Sequence, residues 1–383
     1  MLFFYSWSKC LYDINSIKNN ISKKSNHSES PSAERLLEVK NMTNTFASTY
    51  ISGLGEIIPR LLETKLNDVE IIKNFDGLII YKTKQIFNES LFPFFNNTFL
   101  MFGYSNVNNE QSFNSALSDF FKHLKINFEN IFYNINLKKY RTFKILGIDK
   151  NQPVSIDYSL IKPLENKIEN LCNLSVAFKK HDLDFIFMRR TEGIMLFLFK
   201  LTYNRITEKQ LQPGAIRPEL AYFLAWISDI SKSDIVIDPF CGHGSIPKEI
   251  VKNFRFNMIF ASDIDENLIN KLKLEYKKNK KNLFIKQRDA LNLSYFKDGF
   301  FDKIITDPPW NIYNSVNDEF VSFYEKMLSE FYRILKLNGC CVVLMGNLKD
   351  FENALEKFPF KIVGKYHILV NGKKANIYKL IKT

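Results

Sequence analysis

No apolar run in this chain approaches the roughly 18–20 residues a helix needs to span a bilayer, so no membrane partner is expected. The opening Met1-Leu2-Phe3-Phe4-Tyr5 is too short, and lacks the basic lead, of a secretory signal. Cysteine is scarce: Cys10, Cys172, Cys241, Cys340 and Cys341 form no C-x-x-C pair and have no histidine at metal-ligand spacing. Neither a zinc site nor a disulfide framework is indicated, which excludes metal from the expected chemistry and points to a reducing compartment, the cytoplasm. Acidic residues are outnumbered, with 41 Asp and Glu against 53 Lys and Arg and none after Glu356. The resulting +12 charge favours a polyanionic partner such as nucleic acid or an acidic membrane surface. Internal repeats are absent.

What is present is enough apolar residue, 45% of 383, to build a full core, and a length that suggests two or three domains. Residues 1–42 read as a flexible extension, being polar and without apolar periodicity from about Ser16 to Lys40. Residues 43–110 read as an α+β module: a strand near Thr45–Tyr50, a turn at Gly53-Leu54-Gly55, a helix carrying Ile57, Ile58, Leu61 and Leu62, then strands at Val69–Ile72 and Leu78–Tyr81. A second α+β module, 111–205, has amphipathic helices near Phe113–Leu124 and Leu160–Leu174 and strands near Thr142–Leu146, Asp184–Arg189 and Met195–Leu201.

From 206 to 383, apolar strands alternate with helices: Asp234–Ile237, Met258–Ala261, Leu283–Lys286, Phe301–Thr306 and Cys341–Leu344. That alternation is the sequence form of a doubly wound α/β sheet. It closes on an antiparallel hairpin, His367–Val370 with Ala375–Leu380, turned at Asn371-Gly372. Lys271, Lys273, Lys277, Lys278, Lys280 and Lys281 crowd one helix end, where cations suit the helix dipole.

The first of these strands runs into Asp238-Pro239-Phe240-Cys241-Gly242-His243-Gly244-Ser245-Ile246. Two glycines allow a tight strand-to-helix turn and a close backbone approach to a ligand. The third glycine of a dinucleotide fingerprint is missing, and so is the Gly-Lys-Ser/Thr of a phosphate loop, which argues against NAD and ATP. A site for S-adenosylmethionine needs no pyrophosphate cradle. It needs carboxylates: Asp238 near the sulfonium and amino group, Asp263 for the ribose hydroxyls, and Asp289 for the adenine amine. Asp263 follows Gly242 at close to the spacing of roughly 20 residues expected of a ribose carboxylate one strand along. Asp265 suits the role of N-cap for the next helix.

Asp307-Pro308-Pro309-Trp310 follows the fourth strand. The lone pair of an exocyclic base amine is delocalised into the ring. A carboxylate (Asp307) and a carbonyl (Pro308) accepting its two N–H bonds would turn that lone pair toward an electrophilic methyl group, with Pro309 stiffening the loop and Trp310 offering a stacking face.

These motifs, with Ile216-Arg217-Pro218-Glu219-Leu220-Ala221 ahead of them and weaker matches at Tyr50–Glu56 and Phe187–Gly193, resemble THUMP-domain RNA methyltransferases that make N2-methylguanosine in tRNA and rRNA. The resemblance covers roughly residues 43–383. It implies a C-terminal Rossmann-like class I S-adenosylmethionine-dependent domain (206–383) preceded by ferredoxin-like (43–110) and THUMP-like (111–205) modules that grip RNA. It also adds Arg217, Pro218, Phe240, Cys241, Gly242, Gly244, Ile264 and Ala290 to the cofactor site. His243-Gly244-Ser245 stands where the family usually has Ser-Gly-Thr, and Trp310 where it usually has Tyr or Phe. The expected product is N2-methylguanosine in RNA, tRNA ahead of rRNA. Adenine-N6 or cytosine-N4 methylation is the enzymatic alternative and a cofactor-free RNA-binding module the non-enzymatic one. A small activator subunit is left open.

Overall fold

The structure, a computed structural model, describes residues 43–383 except 125, 127, 129–130, 132–133, 204, 207–209, 277–281, 311–317 and 371. The N-terminal extension, Lys277, Lys278, Lys280 and Lys281, and Asn371 of the expected turn lie outside the described residues.

The N-terminal half contains β1 (Asn44–Thr49), α1 (Ile57–Lys65), β2 (Glu70–Phe75), β3 (Leu78–Thr83), β4 (Asn97–Asn106), α2 (Phe113–His123), β5 (Thr142–Asp149), β6 (Gln152–Val154), α3 (Tyr158–Cys172), β7 (Ser175–Val176), β8 (Leu183–Arg189) and β9 (Ile194–Lys200). They form one nine-stranded sheet in the order β2-β3-β1-β4-β9-β8-β5-β6, with β7 paired to β5. β4 pairs antiparallel with β9 from Phe99↔Lys200 to Asn106↔Ile194, so the sheet runs unbroken across residue 110, where separate modules were expected. Aromatic pairs hold it: the Phe187 and Phe197 rings stack 4.4 Å apart across β8 and β9, a contact that adds to simple area burial.

The C-terminal half contains α4 (Pro218–Ile227), β10 (Ile235–Asp238), α5 (Ser245–Asn253), β11 (Met258–Asp263), α6 (Glu266–Glu275), β12 (Leu283–Gln287), β13 (Phe301–Thr306), α7 (Asp318–Ile334), β14 (Leu335–Met345), α8 (Leu348–Leu355), β15 (Phe360–Val370) and β16 (Lys373–Lys382). The sheet order is β12-β11-β10-β13-β14-β16-β15. β12, β11, β10, β13 and β14 are parallel and the closing hairpin is antiparallel. This is the expected doubly wound sheet with a terminal hairpin, though β15 is far longer than His367–Val370 and carries an irregularity near Gly364.

The strand order reverses at β10, between β11 and β13, and in open α/β sheets that reversal opens a crevice at the carboxyl ends. The two halves share an apolar core, in which Phe94 lies 5.6 Å from Tyr222 and 6.3 Å from Phe223 of α4, centroid to centroid. Among the described residues no helix is long and apolar enough to cross a membrane, and no cluster of His, Cys, Asp or Glu could hold a metal ion.

Candidate active site

Four neighbouring parallel strands deliver an aspartate each to the same edge of the sheet: Asp289 just past β12, Asp263 at the end of β11, Asp238 at the end of β10 and Asp307 just past β13. The spacing between these residues in sequence is large, and the parallel ladder brings them together.

The turn from β10 into α5 is braced from β11. The Cys241 amide donates to the Ser262 carbonyl at 2.9 Å, and the Gly242 amide donates to Asp263 Oδ2 at 2.8 Å. Asp263 Oδ1 accepts from the Asp265 amide at 3.0 Å, so one carboxylate ties two loops. Each oxygen keeps a further lone-pair direction, enough to take a ribose hydroxyl.

Gly242 (φ +48°) has open space where a side chain would point, as a cleft-facing position requires. Gly244 does something else: at φ +77° it closes against α6, where a Cβ would sit 2.4 Å from Leu272 Cδ1. Leu272 is itself buried. Gly244→Ala is therefore expected to lower unfolding free energy by about 1–3 kcal/mol through left-handed strain and overpacking. A urea midpoint equal to that of the wild type would show that the loop relaxes around the new methyl group.

Asp238 is 1% exposed. Its Oδ1 accepts from Thr306 Oγ1 at 2.8 Å and from the Phe240 amide at 3.3 Å, clamping β10 to β13, while Oδ2 has no hydrogen-bond partner among the described residues. Burial pushes this carboxyl up to about 8; the bonds from Thr306 and Phe240 oppose the rise, and the Asp307 and Asp263 charges add to it. Ser262 Oγ is likewise buried without a partner.

Asp289 is exposed and accepts from the Leu291 amide at 2.9 Å; Ala290 behind it is buried. Ile264 is 67% exposed, an apolar side chain open at the rim. Cys241 packs inward with Ala261, Ile269 and Leu272, and burial pushes its thiol far up, so it is no nucleophile. Phe240 packs on Phe323, with centroids 6.1 Å apart. Asp265 caps α6, accepting from the Asn267 and Leu268 amides.

Arg217 reaches the N-terminal half. One of its terminal nitrogens donates to Asn96 Oδ1 at 2.6 Å, and its Nε to the buried Glu219 at 3.3 Å, fixing the start of α4 against the nine-stranded sheet. Pro218 opens α4 at its first turn and lines a cleft of about 450 Å³ with Leu211, Ile216, His243, Ser245 and Lys248, beside the glycine loop.

In the reacting loop, Pro308 is buried and Pro309 exposed. The Pro309 carbonyl accepts from Tyr324 Oη of α7 at 2.9 Å, and no donor to the Pro308 carbonyl lies among the described residues. Trp310 Nε1 donates to Asp307 Oδ1 at 2.8 Å. Burial raises the Asp307 carboxyl to about 7, and the indole N–H bond works against that rise. Sequence reasoning missed Thr306, Tyr324 and Gly346, which packs on Trp310. The signal for Gly346 was an isolated glycine at a strand end, which often marks a close approach.

The fold of the whole described chain resembles that of TrmN from Thermus thermophilus, with a TM-score of 0.69 at 17% identity, covering 89% of this chain and all of that one. The tRNA (guanine(10)-N2)-dimethyltransferase of Methanocaldococcus jannaschii is 29% identical over 183 residues, 45% of this chain and 48% of that protein. Human tRNA (guanine(6)-N(2))-methyltransferase THUMP3 is 27% identical over 227 residues, 55% of this chain and 43% of that protein. The chain thus spans about half the length of these curated relatives. A family model, UPF0020, described as the RMKL-like methyltransferase domain, matches residues 205–376, which contain β10 through β15, the start of β16 and all four strand-end aspartates. Residues 205–376 thus resemble RMKL-like methyltransferase domains.

Proposed function

We propose that this chain transfers a methyl group from S-adenosylmethionine to the exocyclic N2 of a guanosine in RNA, with tRNA as the substrate. The observation that carries the reading is Asp307, held by Trp310 just past β13, one strand from a glycine loop braced by Asp263. The tRNA relatives, both named for guanine N2, support the choice of base and of RNA. So does the net charge of +12.

The residues present fit the cofactor. Asp263 has acceptor capacity left for a ribose, Asp289 lies exposed for an adenine amine, Ile264 offers an apolar surface for the ring, and Asp238 Oδ2 and Ser262 Oγ have no partner among the described residues. When bound, S-adenosylmethionine supplies an electrophilic methyl group carried on a sulfonium.

Asp307 Oδ2 and the Pro308 carbonyl then accept the two N–H bonds of the amine and hold its lone pair out of the ring plane. Guanine N2 inside a base pair faces the minor groove, so the target is flipped out, with the free face of the Trp310 indole available for stacking. The ionised form of Asp307 is the stronger acceptor.

The N-terminal half, in this reading a ferredoxin-like module (43–110) and a THUMP-like module (111–205), holds the RNA through phosphate contacts from its lysines and arginines. Labelled methyl incorporation into separate pools of unmodified tRNA, rRNA and duplex DNA tests the substrate. Incorporation confined to tRNA is expected, and incorporation into duplex DNA alone would overturn the reading.

A further inference from the structure

We infer that Trp310 is a positioning residue for Asp307, holding one carboxylate oxygen through its indole N–H so that the other faces the substrate amine. The inference rests on the proposed role of Asp307 as amine acceptor. It goes beyond the stacking role expected from the sequence, because a phenylalanine or tyrosine ring would stack without presenting this donor.

Two independent features build the arrangement. The first is the bond itself, Trp310 Nε1 to Asp307 Oδ1 at 2.8 Å. Residues three apart on a proline-stiffened loop make it, so little freedom remains to be lost when it forms. The second is the slot that seats the indole. Gly346, immediately after β14, lies so close that a Cβ there would fall 2.2 Å from Trp310 Cε3 and 2.5 Å from Cδ2. No side chain larger than hydrogen fits beside the indole as it stands.

The same ring packs against apolar residues of both cores, which fixes its plane and hence the direction of its N–H. Behind it, Tyr324 Oη pins the Pro309 carbonyl, so the segment between Asp307 and Trp310 is held from both sides. With Oδ1 held by the indole, the Asp307 carboxylate is fixed in one orientation.

Among the described residues the ionisable neighbours are few. Asp238 on β10 interacts with the Asp307 charge, Asp263 stands at the end of β11, and Tyr324 on α7 has Asp350 of α8 beyond it. The indole N–H bonds to Asp307 and to none of these, so replacing the indole with a ring lacking the donor perturbs one carboxyl directly. The bond favours the ionised carboxylate, and losing it moves the Asp307 titration to higher pH.

Trp310→Phe keeps an aromatic face and removes the donor. At saturating RNA and cofactor its kcat at neutral pH is expected to fall about tenfold, the worth of one hydrogen bond to a charged group. The acid limb of its kcat profile should move to higher pH while the KM for RNA changes little. A normal kcat and an unmoved acid limb, or a loss confined to KM, would overturn the inference and leave the methyltransferase reading standing.

A second measurement does not depend on turnover. The chain has three tryptophans, so wild-type protein labelled with nitrogen-15 gives three indole N–H resonances, and Trp310→Phe identifies one of them. That resonance should follow a titration near pH 7 that disappears in Asp307→Asn; a resonance indifferent to both pH and Asp307→Asn would overturn the inference. Absence of methyl transfer by the wild type, with the resonance titrating as expected, would instead count against the proposed function.

Discussion

Asp307→Ala is expected to lower kcat for methyl transfer by about 10²- to 10³-fold, the range seen when one preorganised polar group is removed from a reacting centre. Cofactor affinity should stay nearly unchanged. The reason is where the carboxyl sits: past β13, bonded to Trp310, with the cofactor loop braced instead by Asp263. Initial rates at saturating cofactor, paired with calorimetric titration of S-adenosylhomocysteine, separate the two quantities. A large loss of affinity with normal kcat would assign Asp307 to the cofactor.

The same carboxyl carries a stability signature. Its folded value near 7 lies above the ordinary carboxylate range, so the folded state holds the proton more tightly than the unfolded chain does. The sign follows from linkage: below about pH 4 the group is protonated in both states and costs nothing, and as pH rises toward 7 the cost of ionising it in place grows to its full value. Asp307→Asn should therefore melt above the wild type at pH 8, with the gap closing toward pH 4. A gap independent of pH would show that the buried charge is not its source.

Asp263→Ala has the complementary outcome, a cofactor dissociation constant raised about 10- to 100-fold with kcat at saturation largely retained. Two effects combine. A carboxylate accepting ribose hydroxyls makes charge-assisted bonds, each worth about 1.5–3 kcal/mol, partly offset by water in its absence. The alanine also frees the Gly242 and Asp265 amides that the carboxylate holds, loosening the turn into α5 and the cap of α6. Asp263→Asn should fall between the two, because its single amide oxygen replaces part of the brace. An unchanged dissociation constant in Asp263→Ala would show that the ribose lies elsewhere.

The C-terminal half was legible in the sequence because strands buried on both faces read as continuous apolar runs, and the chain from Ile235 to Met345 alternates such runs with helices. The strand-end aspartates were legible for the same reason, since a parallel sheet aligns the ends of its strands. The capping role of Asp265 also followed from local sequence, and the structure shows it.

What was not legible depends on partners distant in sequence. β4 was missed: its run from Asn97 to Asn106 has no clear punctuation, and its partner β9 lies nearly a hundred residues on, so the single nine-stranded sheet was hidden behind two apparent modules. The length of β15 was hidden by Gly364, whose irregularity breaks the alternation of side chains. Arg217 was expected at the cofactor, and the bond it makes to Asn96, far upstream in sequence, was not legible. Trp310 was read as a stacking face because the sequence carries ring type but not ring direction. Only the packing at Gly346 and the bond to Asp307 reveal where its N–H points.

The measurement closest to the central claim is the identity of the methylated nucleoside. Unmodified tRNA is incubated with the protein and methyl-labelled S-adenosylmethionine, digested to nucleosides and separated by mass spectrometry. The account predicts label in N2-methylguanosine, lost in Asp307→Ala. Label in methyladenosine or methylcytidine would contradict the assignment of guanine N2, and label that persists in Asp307→Ala would contradict the role given to the Asp307-Pro308 loop.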